Sequence, residues 1–195
     1  MAAAPVNLCC NGTGGYRLAR NEKQEREARL KHLAVEIDAL SAKDESQLRR
    51  IREIAELRHA AARELHTICS DFLRDINPLL KNGELLLDPP EFQDEHFDDD
   101  AANLLQLHIR GRILQVEYTS TQELISTEDF RIPYILQGFV RAFNQELLDK
   151  DLIEEQLIFY TLEKQNGMWR FFDARTYRSG PFDEDYLISL MRQLI

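Results

Sequence analysis

The stretch LKHLAVEIDALSAKDESQLRRIREIAELRHAAARELHTICSDF, Leu30–Phe72, decides how this chain is built. With Leu30 as position a of a heptad, the a positions are Leu30, Ile37, Asp44, Ile51, Arg58, Leu65 and Phe72. The d positions are Leu33, Leu40, Gln47, Ile54, Ala61, Ile68 and Asp75. An apolar repeat of about 3.5 residues held in phase this long specifies a helix that buries one seam against another helix. The reading is a coiled coil that dimerises through Leu30, Leu33, Ile37, Leu40, Ile51, Ile54, Leu65, Ile68 and Phe72.

Two irregularities qualify that seam. Asp44 and Gln47 interrupt it where Ser41-Ala42-Lys43-Asp44 resembles a capping box. The helix either runs through or breaks there into a hairpin, and the absence of Gly and Pro favours continuity. The e positions Ala34, Ser41, Leu48, Ala55, Ala62 and Cys69 are small or apolar, where a two-stranded coil usually carries charge. From Leu48 to Phe72 the apolar face is wider than an a/d seam, which predicts more than one neighbour. Arg58, at an a position, either snorkels outward or sets register.

Outward from the helix, residues 1–20 read as a flexible tail and residues 21–77 as the helix. Proline disfavours helical geometry in the residue before it, so Asn77-Pro78 is the stop. Asn11-Gly12-Thr13-Gly14-Gly15 has glycines but lacks the Gly-Lys-Ser/Thr of a phosphate loop. Met1–Cys10 lacks the pattern of a secretory signal, and no apolar run approaches the roughly 20 residues that span a bilayer. Cys9, Cys10 and Cys69 do not form a disulfide framework. A reducing, cytoplasmic setting is the expectation.

Charge is uneven. Residues 1–66 carry net +2 and residues 67–195 net −12, which together make the −10 of the chain. An acidic domain repels phosphate backbones, so nucleic-acid binding there is disfavoured. Contact through Arg49, Arg50 and Arg52 of the helix remains as an alternative.

Residues 78–195 read as an acidic α+β domain. Leu85–Leu87 after Asn82-Gly83 suits a short strand, and residues 91–100 form an acidic loop. Leu104–Arg110 and Arg112–Thr119 read as strands turned at Arg110-Gly111, which sets Leu107 opposite Leu114 and Leu105 opposite Val116. Pro133 opens an expected helix to Lys150 with Leu136, Phe139, Val140, Phe143 and Leu147 as its stripe. Asn166-Gly167 signals a type I′ turn, pairing Leu162 with Phe171, Glu163 with Arg170 and Lys164 with Trp169. A last helix begins at the N-cap Asp183, buries Tyr186, Leu187, Leu190, Met191 and Leu194, and is stapled by Phe182 on Leu187.

No constellation points to catalysis, and neither a metal nor a cofactor is expected. Asp98, Asp99 and Asp100 could serve a metal-assisted site, but the loop has no EF-hand spacing and no glycine at the turn. A basic partner surface is its better target. His32, His59, His66, His96 and His108 form no ligand set, and His59 and His66, seven apart, read as solvent-facing. Cys69 reads as a small packed residue, and Trp169 as core. Arg170, Arg175, Tyr177 and Arg178, of types common at interface anchors, are the candidate partner-binding residues. The alternative is that they neutralise Asp173 and Asp183.

The element order α-β-β-β-α-β-β-α with antiparallel hairpins, together with acidity, resembles the class I type III secretion chaperone fold over residues 50–195. That resemblance implies an acidic homodimer holding an unfolded stretch of a client protein. The layout is also similar to the coiled coil and small α/β head of kinetochore and monopolin-type proteins, which implies a dimerising coil and a recruiting head. The expected function is a non-enzymatic, homodimeric interaction module, adaptor or chaperone-like. An enzyme using the acidic loop and a scaffold contacting nucleic acid through its helix are the alternatives.

Overall fold

The computed structural model describes residues 14–127, 130–144, 155–163 and 166–194. The chain is α+β: a long helix, an antiparallel sheet and a C-terminal helix. Helix α1 spans Gly14–Ile76 without a break at Ser41–Asp44. From Tyr16 to Asn77 the sequence holds neither Gly nor Pro. Nothing stops the helix before the short 3-10 turn Asn77–Leu79. This corrects the expected tail, because residues 14–20 are already helical. Residues 1–13 lie outside the described residues.

Two compact units divide the chain at Ile51/Arg52. In the first, the described residues are all helix. The second contains the end of α1 from Arg52, strands β1 (Leu86–Asp88), β2 (Asn103–Ile109), β3 (Arg112–Ile125), β4 (Tyr134–Phe143), β5 (Glu155–Glu163), β6 (Asn166–Asp173) and β7 (Arg178–Pro181), and helix α2 (Glu184–Leu194). The strands form one antiparallel sheet in sequence order.

The β2–β3 hairpin has the expected register, with Leu107 opposite Leu114 and Leu105 opposite Val116. Arg110 and Gly111 both have positive φ, the geometry of a type I′ turn. The next element departs from expectation. Residues 134–143 are a strand, not a helix, while Leu147 lies outside the described residues. An i,i+4 spacing fits either period: Leu136 and Val140 share one sheet face just as they would share a helix stripe. Tyr, Ile, Phe and Val favour the pleated surface. At Gly138 a Cβ would collide with the Glu117 carbonyl on β3, so a side-chain-free residue lets the strands close. The order among described residues is therefore one long helix, seven strands and one helix.

The β5–β6 register also differs. Glu163 faces Asn166, Tyr160 faces Trp169 and Phe159 faces Arg170, so Glu163 and Arg170 are not cross-strand partners. Lys164 lies outside the described residues. Gly167 sits within the strand because the Tyr160 ring crosses it where a Cβ would be. The slip is an even number of residues, so each side chain keeps its face.

One sheet face, with Leu105, Leu107, Leu114, Val116, Leu136, Ile158 and Trp169, packs on Leu65, Cys69, Phe72 and Leu187 of the helices. Trp169 is core, as expected, and its Nε1–H donates to the Ala61 carbonyl at 2.8 Å. The run Ala60-Ala61-Ala62 presents no bulk there and lets helix and indole meet. Cys69 is fully buried, and burial pushes its thiol pKa up to about 12. Asp183 caps α2 by accepting the Tyr186 N–H at 3.0 Å. Phe182 packs edge-on against Tyr186 within the cluster that holds Leu187.

Candidate functional site

The heptad register divides into two fates. Leu65 and Phe72 are buried in the chain's own core, and Ile54 and Ile68 pack against it. The sequence placed these four on the dimer seam and also expected this half of the helix to pack on its own domain, and it is the domain's core that holds them here. The wide apolar face predicted from Leu48 onward is thus explained from Ile54 on. In the N-terminal unit Leu30, Leu33, Ile37, Leu40 and Ile51 are 51–62% exposed. These five form an unpartnered apolar line on an otherwise charged helix.

The acidic loop meets a basic surface, and that surface belongs to this chain. Asp94 accepts two hydrogen bonds of 2.7 Å from Arg63. Asp99 pairs with Arg58 at 3.3 Å and accepts from Ser120 Oγ at 3.1 Å. Arg58 also donates to the Thr121 carbonyl, which gives the charged a-position residue its role as a tie between α1 and the loop. The His59 ring lies edge-on to Phe97 at 4.6 Å, with its nitrogens 3.9 and 4.0 Å from the Asp94 and Asp99 carboxylates. Asp98 accepts from the N–H groups of Asp100 and Ala101, and the Asn103 carboxamide bonds both backbone groups of Asp98. The loop is therefore a structural clamp. Among the described residues no three His, Cys, Asp or Glu side chains converge in a metal-holding group.

His66 corrects the solvent-facing expectation. It is buried, and its Nε2–H donates to the Pro89 carbonyl at 3.0 Å. Glu64 accepts from the Tyr160 hydroxyl at 3.2 Å. Burial raises the Glu64 carboxyl pKa, while this hydrogen bond opposes the shift. Burial, then the nearby Glu64, raises the Tyr160 hydroxyl to about 12.

The candidate partner-binding residues gather at the β6–β7 turn. Thr176 Oγ1 donates to Asp173 at 2.8 Å and the Arg175 N–H donates to it at 2.9 Å, which holds the Asp173 carboxyl below the usual range. The Arg175 guanidinium stands 3.8 Å from the same carboxylate. Arg170 Nε donates to Ser179 Oγ at 3.4 Å. Tyr177, held at φ 55°, is 71% exposed, and Arg178 is exposed beside it. Asp173 thus organises the turn, and Tyr177 and Arg178 stand outward from it.

Sequence reasoning missed the opposite face of the sheet. There Phe130, Tyr134, Phe159 and Phe172 form a second buried cluster, with Phe130 stacked on Phe159 at 4.4 Å. The available signal was Leu157-Ile158-Phe159-Tyr160, an unbroken apolar run that marks a strand covered on both faces. Beside the cluster opens a cavity of about 380 Å³, with Phe139 and Leu157 on its wall and Glu117, Thr119 and Gln137 among its polar residues. Arg141 lies over the Phe139 ring at 3.9 Å and pairs with Glu117 at 3.2 Å and Glu155 at 2.7 Å.

No described helix is long and apolar enough to cross a membrane. Comparison of the chain with protein-family models, curated proteins and solved structures finds no match.

Proposed function

We propose that the chain is a non-enzymatic protein-interaction module. Residues 30–51 of α1 pair with the same segment of a second copy, and the acidic sheet domain binds another protein in an intracellular, cytoplasmic setting. One observation carries the reading: Leu30, Leu33, Ile37, Leu40 and Ile51 keep heptad phase and stay more than half exposed in the single chain. Each fully buried side chain of this kind is worth about 1.5–3 kcal/mol, so pairing the seam offers a large gain at no cost to the head. A second copy carries the identical register and is the simplest complement. Tyr177 and Arg178 are the residues of the head that suit a partner contact.

Sedimentation equilibrium tests the coil. A dimer is expected at micromolar concentration, and the double variant Ile37→Asp/Leu40→Asp is expected to be a folded monomer. A wild-type chain that stays monomeric at these concentrations refutes the reading. Ile54 is unsuitable for this test, because it packs against the head's own core.

A further inference from the structure

We propose that the cavity on the sheet face opposite the helices binds a small, uncharged aromatic molecule that carries one hydrogen-bonding group. The walls set the class. Phe130, Phe139, Leu157, Phe159 and Phe172 leave an apolar, largely aromatic surface around about 380 Å³. A cavity of about 150 Å³ accepts one benzene ring, so this one has room for two or three fused rings. Flat rings suit walls that already stack among themselves, as Phe130 does on Phe159.

Tyr134 supplies the polar requirement. It lines the cavity and is only 2% exposed, and its hydroxyl has no hydrogen-bond partner among the described residues. That hydroxyl is not among the buried atoms left without a partner, so it keeps contact with water at the cavity, and a ligand donor or acceptor can take that water's place. The lining sets the charge. Glu117 is the one charged residue among the described residues that line the cavity, and it shares the Arg141 guanidinium with Glu155, so this cluster carries one carboxylate in excess and disfavours an anion. This site lies within the sheet domain and does not depend on the coil.

Fluorescence titration of the full chain with 2-naphthol, naphthalene and 2-naphthoate is the test. Saturable one-to-one binding of 2-naphthol is expected, with naphthalene about fivefold weaker for want of one hydrogen bond, and 2-naphthoate weaker than 2-naphthol. Tyr134→Phe should reduce 2-naphthol to the naphthalene level and leave naphthalene unchanged. Thr119→Phe, which fills the cavity from β3, should abolish binding of both. Absence of saturable 2-naphthol binding overturns the proposal, as does binding that survives Thr119→Phe in the folded protein. Should that variant not fold, Tyr134→Phe decides alone: an unchanged ratio of the two affinities overturns the proposal.

Discussion

Leu65 and Ile37 occupy the same heptad position, yet the structure gives them opposite surroundings: Leu65 is 0% exposed and Ile37 53%. Truncating each to alanine should therefore produce two different phenotypes. Leu65→Ala removes buried methyl groups from a core packed on both sides by helix and sheet, at a cost of about 3 kcal/mol within the usual range of roughly 2–5. For a domain of this size that lowers Tm by roughly 10 °C. The loss should not depend on protein concentration, because Leu65 packs within its own chain. Ile37→Ala should leave the sheet domain's unfolding midpoint within about 0.5 kcal/mol of wild type. Its effect should fall on association, which weakens by roughly tenfold or more as the seam loses apolar contact on both copies. Trp169 is the chain's single tryptophan and sits in the core under α1, so its fluorescence in urea reports the sheet domain alone. Urea melts at two protein concentrations, read beside sedimentation, separate the two effects. The reasoning fails if Leu65→Ala changes the association constant while the Trp169 transition stays in place. It also fails if Ile37→Ala shifts that transition by as much as Leu65→Ala does.

Three further outcomes are expected. Trp169→Phe forfeits the hydrogen bond to the Ala61 carbonyl and part of the indole's packing, which should cost about 2 kcal/mol by circular-dichroism melts; a change below about 0.5 kcal/mol would show that this tie is dispensable. Burial holds the Glu64 carboxyl above its ordinary pKa, so folding favours the protonated form and that contribution is lost as pH rises through the folded value. Glu64→Gln should then gain stability relative to wild type between pH 4 and pH 8, and a relative loss over that span, read as the difference in Tm, would contradict the sign. In a Cys9→Ser/Cys10→Ser background, Cys69, with its thiol raised to about 12, should react with a thiol reagent at mildly alkaline pH only as fast as the domain opens; labelling faster than opening would refute its burial.

Much of the architecture was legible where a local rule acts alone. Gly111 announced its hairpin because a glycine between two runs of alternating apolar residues marks a tight turn, and Asp183 announced α2 because a carboxylate two or three residues ahead of free N–H groups caps them. The strand at Tyr134–Phe143 was misread because four-residue spacing serves a helix stripe and a strand face equally. What chose between them was the room beside Glu117 and Tyr118 on β3, visible only once the strands are paired. Asn166-Gly167 misled for a related reason: its glycine makes way for the Tyr160 ring, a residue seven positions upstream and across the hairpin.

By itself the sequence determined that α1 exists, where it ends, and that one face of it is apolar in heptad phase, because periodicity and the absence of Gly and Pro are properties of neighbours along the chain. It also determined the acidity of the sheet domain. Only the tertiary structure decided what the apolar face touches. Ile54, Leu65, Ile68 and Phe72 pack with the domain's own core, while Leu30, Leu33, Ile37, Leu40 and Ile51 remain exposed. The same is true of Arg58, whose charge at a core position makes sense only beside Asp99 and the Thr121 carbonyl. Burial is a relation between distant segments, and a periodic pattern states that a face will be covered without stating by what.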